Sequence, residues 1–503
     1  MTDPVPHPPL HGIRVLDLSA VLSGPMCTAL LADQGAEVIK VEPPGGDLSR
    51  RIGPAKGDMS AMFITANRGK RSIVLDLKRA EHLQVLHELA RRADVLVENF
   101  RPGAMARLGL DHATLAAANP RLIYASITGF GQSGPYADGR VYDAVIQAVS
   151  GISASHPSQA SGEPTLLATT VCDKLSALTA AQAISAALFA RERSGRGMKL
   201  ELAMLDAALA FQWPDAMYNH VFLSDPPPPS PEFGVQQRAY RTRNGHVAAM
   251  TPQPDEFAAL CRGLGRPDLA GDARFAHIEA RRRNAAELLS LLDGLIADDD
   301  TDALVARLRA EGVPIGRVNA RAQVPEDPQV RHNRSLQQVD HGALGTVRLA
   351  RSAARFIGAE EPALRPAPQL GEHGRELLAE LGLDAARIDA LLGPACCAAA
   401  SATAPLTREW ARRPTGLCDD ATAFLRSCPR PGRPARRAGP RRRRRATPAL
   451  RRGAAAGLCR AGLAAERARL ERQGRARLAA AVVFHLAGDR CRHAGRAGRE
   501  LPL

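Results

Sequence analysis

Along the first 215 residues, short runs of β-branched and apolar residues alternate with longer stretches whose apolar positions recur at helical spacing. That alternation predicts an α/β fold, a parallel sheet covered by helices. RVLDLS at 14–19 reads as a strand, 25–34 as a helix and EVIKVE at 37–42 as the next strand, which makes one βαβ unit. SIVLDL at 72–77, a helix through AEHLQVLHELARR and DVLVENF at 94–100 make a second, and LIYASIT at 122–128 adds a strand. A long Ala-rich helix is expected over 175–193, ahead of GRGMKLELAMLDAAL.

FLSDPPPPSPE at 222–232 is too rich in proline for a helix or an interior strand and reads as a linker. The pattern predicts a large domain starting over 10–221, a linker at 222–235, a smaller α+β domain at 236–315 and a return to the large domain over 316–394. Within the smaller domain, YRTRNGHVAA at 240–249 has the form of a hairpin turning at Asn244-Gly245, and helical stretches follow. HGRELLAELGL near the end of the return reads as a helix capped by Gly382.

Charge changes this picture only at the far end. The 503-residue chain carries a net +15, which alone points to nucleic acid or an anionic membrane. Residues 401–503, however, hold 25 Arg, no Lys and 7 acidic residues, so the rest of the chain is a mildly acidic −3. The 395–503 segment is dominated by Arg, Ala, Gly and Pro, lacks the apolar content for a core of its own, and is expected to be a disordered basic tail. Its GC-rich codon set without a single lysine also fits out-of-frame translation of GC-rich DNA. Aromatic residues are few among the arginines and no binding motif accompanies them, so nucleic acid is not an expected partner.

Other chemistries find little support. No apolar run reaches about 18 residues, and MTDPVPHPPLHG lacks the basic patch and apolar stretch of a secretory signal, so a cytoplasmic location without membrane contact is expected. Cys27, Cys172 and Cys261 are scattered through the body and form neither a disulfide framework nor a zinc pattern. HExxH, paired CxxC and DxDxDG are missing, as are a GxGxxG after the first strand, a Walker lysine and GxSxG. Neither a metal nor a prosthetic group is expected.

What remains is a set of turn-rich segments at predicted strand ends, where open α/β sheets place ligands. SAVLSGP (19–25), VENFRPG (97–103) and TGFGQSGPY (128–136) would surround one crevice, their glycines allowing close backbone approach, with Arg101, Arg107 and Arg140 supplying charge for phosphates. Ordinary βα turns with solvated arginines would look the same on spacing alone.

Several long motifs now stand in order: GIRVLDLSAVLSGPMCTALLADQGAEVIKVEPPGGD, NRGKRSIVLDLK, ADVLVENFRPGAMARLGL, NPRLIYASITGFGQSGPY, GVPIGRVN and PAPQLGEHGRELLAELGL. Over roughly 10–392 the chain resembles the family III (CaiB/BaiF-type) coenzyme A transferases. The resemblance implies a Rossmann-like large domain made from both ends of the chain, an inserted small domain, and a homodimer interlocked like two rings. It implies acyl-CoA and carboxylic acid substrates, with coenzyme A a part of the substrate and no separate cofactor.

By the same resemblance the nucleophile is Asp173, ahead of the long helix that ends in RERSGRG; an aspartate there would otherwise be read as a helix cap. CoA would lie along Val21, Leu22, Ile73 to Leu75, Asn99, Phe100, Arg107 and Arg140. The loop around Gly129, Gly131, Gln132 and Gly134 would supply oxyanion donors. Arg140 stands where formyl-CoA transferase has a lysine, and Leu22 where oxalate-using members have a glutamine, which argues for a larger or less polar acid than oxalate. Two other readings stay open: an α-methylacyl-CoA racemase, and a catalytically silent CoA-binding protein. The racemases carry a basic histidine where this chain has Tyr142, and an ordinary phenol with a pKa of about 10 is a poor base. Asp143 then reads as structural or as an acceptor in the pocket, and His373 as a cap or contact.

Overall fold

A computed structural model describes residues 6–155, 157, 161–230, 232 and 238–397. Its first strands are β1 (Arg14–Asp17), β2 (Glu37–Glu42), β3 (Ala55–Lys56), β4 (Met59–Ser60) and β5 (Lys70–Val74). They are followed by β6 (Val95–Glu98), β7 (Ile123–Thr128) and β8 (Lys199–Ala203). Six of these form one parallel sheet in the order β5-β2-β1-β6-β7-β8, while β3 and β4 make a small separate hairpin. The order runs outward from β1 in both directions, the doubly wound arrangement in which a crevice opens beyond the strand ends where direction reverses. Here that point lies between β1 and β6.

Side chains alternate across the sheet as the pleat requires. Val15, Val95, Val97, Ile123 and Ala125 face one core with helices Ser23–Ala32, Val171–Ser194 and Met204–Gln212. Leu16, Leu96 and Tyr124 face the other, with helices Ala80–Arg91, Gly374–Glu380 and Ala385–Cys397. The chain after residue 370 therefore comes back onto the sheet built by its beginning. Helix Gly374–Glu380 ends with Gly382 at φ +89° and Leu383 N–H on Leu378 O, a glycine-terminated cap at the place expected.

The strands are shorter than the apolar runs. β1 stops at Asp17 and β6 at Glu98 because polar side chains take over the backbone partners there, as described below. The long helix begins at Val171, four residues earlier than the Ala-rich run indicates, since β-branched and polar residues hide its first turn. β8 (KLELA), half polar and half exposed, carries too weak a pattern to be expected from the sequence.

Strands β9 (Ala239–Thr242), β10 (Gly245–Ala249) and β11 (Ile315–Arg317) form an antiparallel sheet with its own core of Tyr240, Phe257, Phe275, Leu292, Leu304 and Leu308. Its hairpin turns at Arg243 and Asn244, one residue earlier than expected. Asn244 Oδ1 accepts from Thr301 N–H at 2.9 Å and fixes the turn against the next helix. A second hairpin pairs β12 (Leu336–Asp340) with β13 (Thr346–Ala350). The last helix, to Cys397, crosses the boundary predicted at 394; the rest of the expected basic tail lies outside the described residues. Among the described residues no helix is long and apolar enough to cross a membrane.

Candidate active site

Beyond the ends of β1 and β6 the backbone ladder is continued by a side chain. Asn99 Oδ1 accepts from Ala20 N–H at 2.9 Å and its Nδ2 donates to Ala20 O at 2.8 Å, so one amide does the work of a strand neighbour. The chain then enters an unusual conformation. Val21 has φ +69°, a left-handed backbone that a β-branched residue adopts only when its surroundings enforce it. The enforcement is visible: Val21 N–H donates to Asp47 Oδ1 at 3.1 Å, and Lys40 Nζ spans Ser19 O at 3.0 Å and the Asp47 carboxylate at 2.8 Å. Lys40 and Asp47 are both buried, and the neighbouring buried pairs Lys70–Asp17 and Arg50–Glu42 complete a charged layer beneath the loop.

This loop delivers Ser23 to the first position of helix Ser23–Ala32, an end that no side chain caps. Ser23 and Asp173 line the same crevice, and the Ser23 hydroxyl acts to lower the Asp173 carboxyl. Asp173 lies in the first turn of helix Val171–Ser194, so two helix N-termini meet at one carboxylate. Its N–H donates to Asp143 Oδ1 at 2.9 Å, and Asp143 Oδ2 accepts from Gln147 Nε2 at 2.6 Å. Burial, and then the neighbouring Asp143 carboxylate, push the Asp173 carboxyl up to about 6, against the opposing pull of Ser23 and Lys174.

The crevice at this point has a volume of about 1090 Å³ including its open mouth. Of the residues singled out from the sequence, Val21, Asn99, Phe100, Gly129, Arg140 and Asp173 line it together, with Arg101 and Tyr142 beside them. Gly129 is packed against Val141, and a Cβ there would fall 2.3 Å from Val141 Cγ1. That close approach sets the wall leading to Tyr142 and Asp143.

Other expected residues stand elsewhere. Leu22 is buried at the start of helix Ser23–Ala32, and Ile73 on the edge strand β5 and Leu75 just past its end are buried in the core beside Leu377 and Leu378. Arg107 is exposed at the end of the short helix Ala104–Arg107 and does not reach the crevice wall. In the glycine loop, Gly131 N–H is taken by Thr128 Oγ1 at 3.1 Å and the Gln132 amide by Ser126 Oγ at 2.8 Å, and Gly134 stays outside the crevice lining. Two groups already bonded within the loop are poor oxyanion donors. His373 makes the contact expected of it, accepting from Ser72 N–H through Nδ1 at 3.3 Å.

Ser23 and Gln147 belong to the site but were not foreseen. Ser23 had a signal in its place just before an apolar helical run, and Gln147 in its i,i+4 spacing from Asp143. Among the described residues no group of three His, Cys, Asp or Glu stands ready for a metal ion.

Comparison with known proteins gives a consistent result. The model of CoA-transferase family III matches residues 10–374. The chain is 37% identical over 395 residues to succinate–glutarate CoA-transferase of Agrobacterium fabrum, covering 76% of this chain and 98% of that protein. It is 35% identical over 389 residues to the probable fatty acyl-CoA transferase Rv3272 of Mycobacterium tuberculosis, covering 74% and 98%. A solved structure of a CAIB/BAIF family protein from Brucella suis superposes with a TM-score of 0.66 at 34% identity, over 75% of this chain and all of that one.

Proposed function

The chain belongs to CoA-transferase family III, and from that premise we propose that it moves coenzyme A from an acyl-CoA to a free carboxylic acid through covalent intermediates on Asp173. The observation that carries this reading is the Asp173 carboxylate, half-buried in the crevice at the sheet's reversal point, with Ser23 on the same wall and the Asp173 main-chain N–H fixed on Asp143.

The chemistry follows from a carboxylate in that place. Ionised Asp173 attacks the thioester carbonyl and expels CoA thiolate, leaving a mixed anhydride between the donor acyl group and Asp173. The thiolate attacks the aspartyl carbonyl of the anhydride, releasing the donor as a free acid and forming an aspartyl-CoA thioester. The incoming carboxylate attacks that thioester, again expelling thiolate and forming the second anhydride. Thiolate attack on the new acyl carbonyl gives the product acyl-CoA and restores Asp173.

Each addition creates an oxyanion. The uncapped start of helix Ser23–Ala32, with the main-chain N–H groups of Ser23 and Gly24 unclaimed by any cap, supports a role there as donor in place of the glycine loop. Arg101 and Arg140 at the crevice wall suit the phosphates of CoA. Domain limits at 10–221, 236–315 and 316–394 and an interlocked homodimer belong to the same reading. The dimer is supported by apolar side chains left exposed on helix Val171–Ser194 (Leu178, Phe189) and around 211–223 (Phe211, Trp213, Phe222, Leu223).

The test is incubation of the purified protein with a panel of acyl-CoA thioesters and hydroxylamine, followed by mass spectrometry. A hydroxamate on the peptide bearing Asp173 is expected, and D173A should lose both the adduct and CoA exchange while keeping its circular dichroism. Full exchange by D173A would overturn the assignment, and deuterium uptake at the acyl α-carbon would favour racemisation.

A further inference from the structure

The sheet of β9–β11 and its helices form a second cavity apart from the crevice, of about 830 Å³ including its open mouth. Its wall is largely apolar, with Tyr240, Phe257, Leu288, Leu289, Leu292, Ile296 and Leu308 among the residues that line it. One element breaks that character. The Arg281 side chain lines the cavity and is only 6% exposed.

Arg281 donates to Phe275 O at 3.1 Å and Pro252 O at 3.0 Å, and its guanidinium carbon sits 4.6 Å from the Phe257 ring centre. Among the described residues no carboxylate forms an ion pair with it. Of the acidic groups that act on its charge, the Cys261 thiol is pushed up to about 11 by burial and is neutral at ordinary pH, and Glu279 on its own helix is exposed; Arg282, also on the cavity wall, adds a second positive charge. A buried cation facing an apolar space without a counter-charge is costly, and the cost falls when an anion is brought to it. An apolar lining with a single buried charged group is that of a site for a small organic ligand.

We propose that this cavity binds a carboxylic acid with an apolar chain, its carboxylate on Arg281 and Arg282 and its chain among Leu288, Leu292, Ile296 and Leu308. Bidentate pairing of a guanidinium with a carboxylate suits the head group, and the aliphatic wall suits the tail. The site is separate from the crevice that holds Asp173 and takes no part in the transfer steps.

Calorimetric titration of the full chain with decanoate, and with decan-1-ol as a probe lacking the charge, tests this. Decanoate should bind with one site per chain, the alcohol at least tenfold more weakly. R281M and the cavity-filling L289W should each weaken decanoate at least tenfold, with melting curves reporting whether each variant is folded. D173A should bind decanoate as the parent does, which separates this site from the crevice. Crystals soaked with a bromodecanoate should show the bromine between Leu292 and Leu308. Equal binding of acid and alcohol, unchanged affinity in a folded R281M and L289W, loss of binding in D173A, or a cavity found filled by a second copy of the chain would overturn the proposal.

Discussion

At Asp173 a single carboxyl carries two opposed demands. As a nucleophile it must be ionised, yet burial and Asp143 raise it to about 6. Transfer should therefore fall about tenfold per pH unit below roughly 6 and level off above it, a profile read from kcat/KM against pH. The same shift acts on stability, with a definite sign. In the unfolded chain the group ionises near its ordinary 3.8, so between about 4 and 6 the unfolded state sheds its proton first and the fold is weakened as pH rises. Above about 6 the penalty is constant, on the order of 1–3 kcal/mol at most and less with solvent screening. D173N should accordingly melt higher than the parent at about pH 7.5, with the two curves converging below about pH 4; a lower melting point at neutral pH would contradict the burial argument.

Among elements, the decisive piece is the join between β1 and β6. Replacing Asn99 by Leu keeps the bulk but strands the N–H and C=O of Ala20, costing about 1–3 kcal/mol in denaturant unfolding. It also releases the backbone that holds Val21 and Ser23, so transfer should drop more than tenfold even where the variant is folded. Sequence patterning made the strands of this sheet legible wherever they are buried on both faces, as in EVIKVE and LIYASIT. It failed at β8, whose edge position leaves alternate residues wet, and at strand ends, where Asn99 competes with the ladder in a way no apolar pattern records. The site was legible in part for the same reason. Turns at strand ends marked the neighbourhood of Asn99, Phe100 and Arg140, but the resemblance is what assigned them to the site, together with Ile73 and Leu75, whose side chains face the core. Asp173 stands out only through family likeness, because its local text is that of any helix start.

For the whole molecule, what bears on assembly is the apolar surface left on the described residues. Phe189, Phe211, Phe222 and Leu223 are all exposed, large apolar side chains of the kind that a second copy of the chain would cover. Light scattering should give twice the chain mass, and a chain ended after residue 397 should likewise scatter as twice its own mass and keep its transfer rate. A monomeric or inactive truncated chain would show that the Arg-rich segment is needed.

The two helices that start beside Asp173 have a consequence for how this enzyme can be broken. Their positive ends are made of peptide dipoles, not of side chains. A field built from main chain is present whatever residues are exchanged along either helix, so drift in sequence cannot erase it. A relative that acts on another acid can inherit the same attraction for anions intact. Damage to this centre must come instead through displacement, by substitutions that shift where the helices begin.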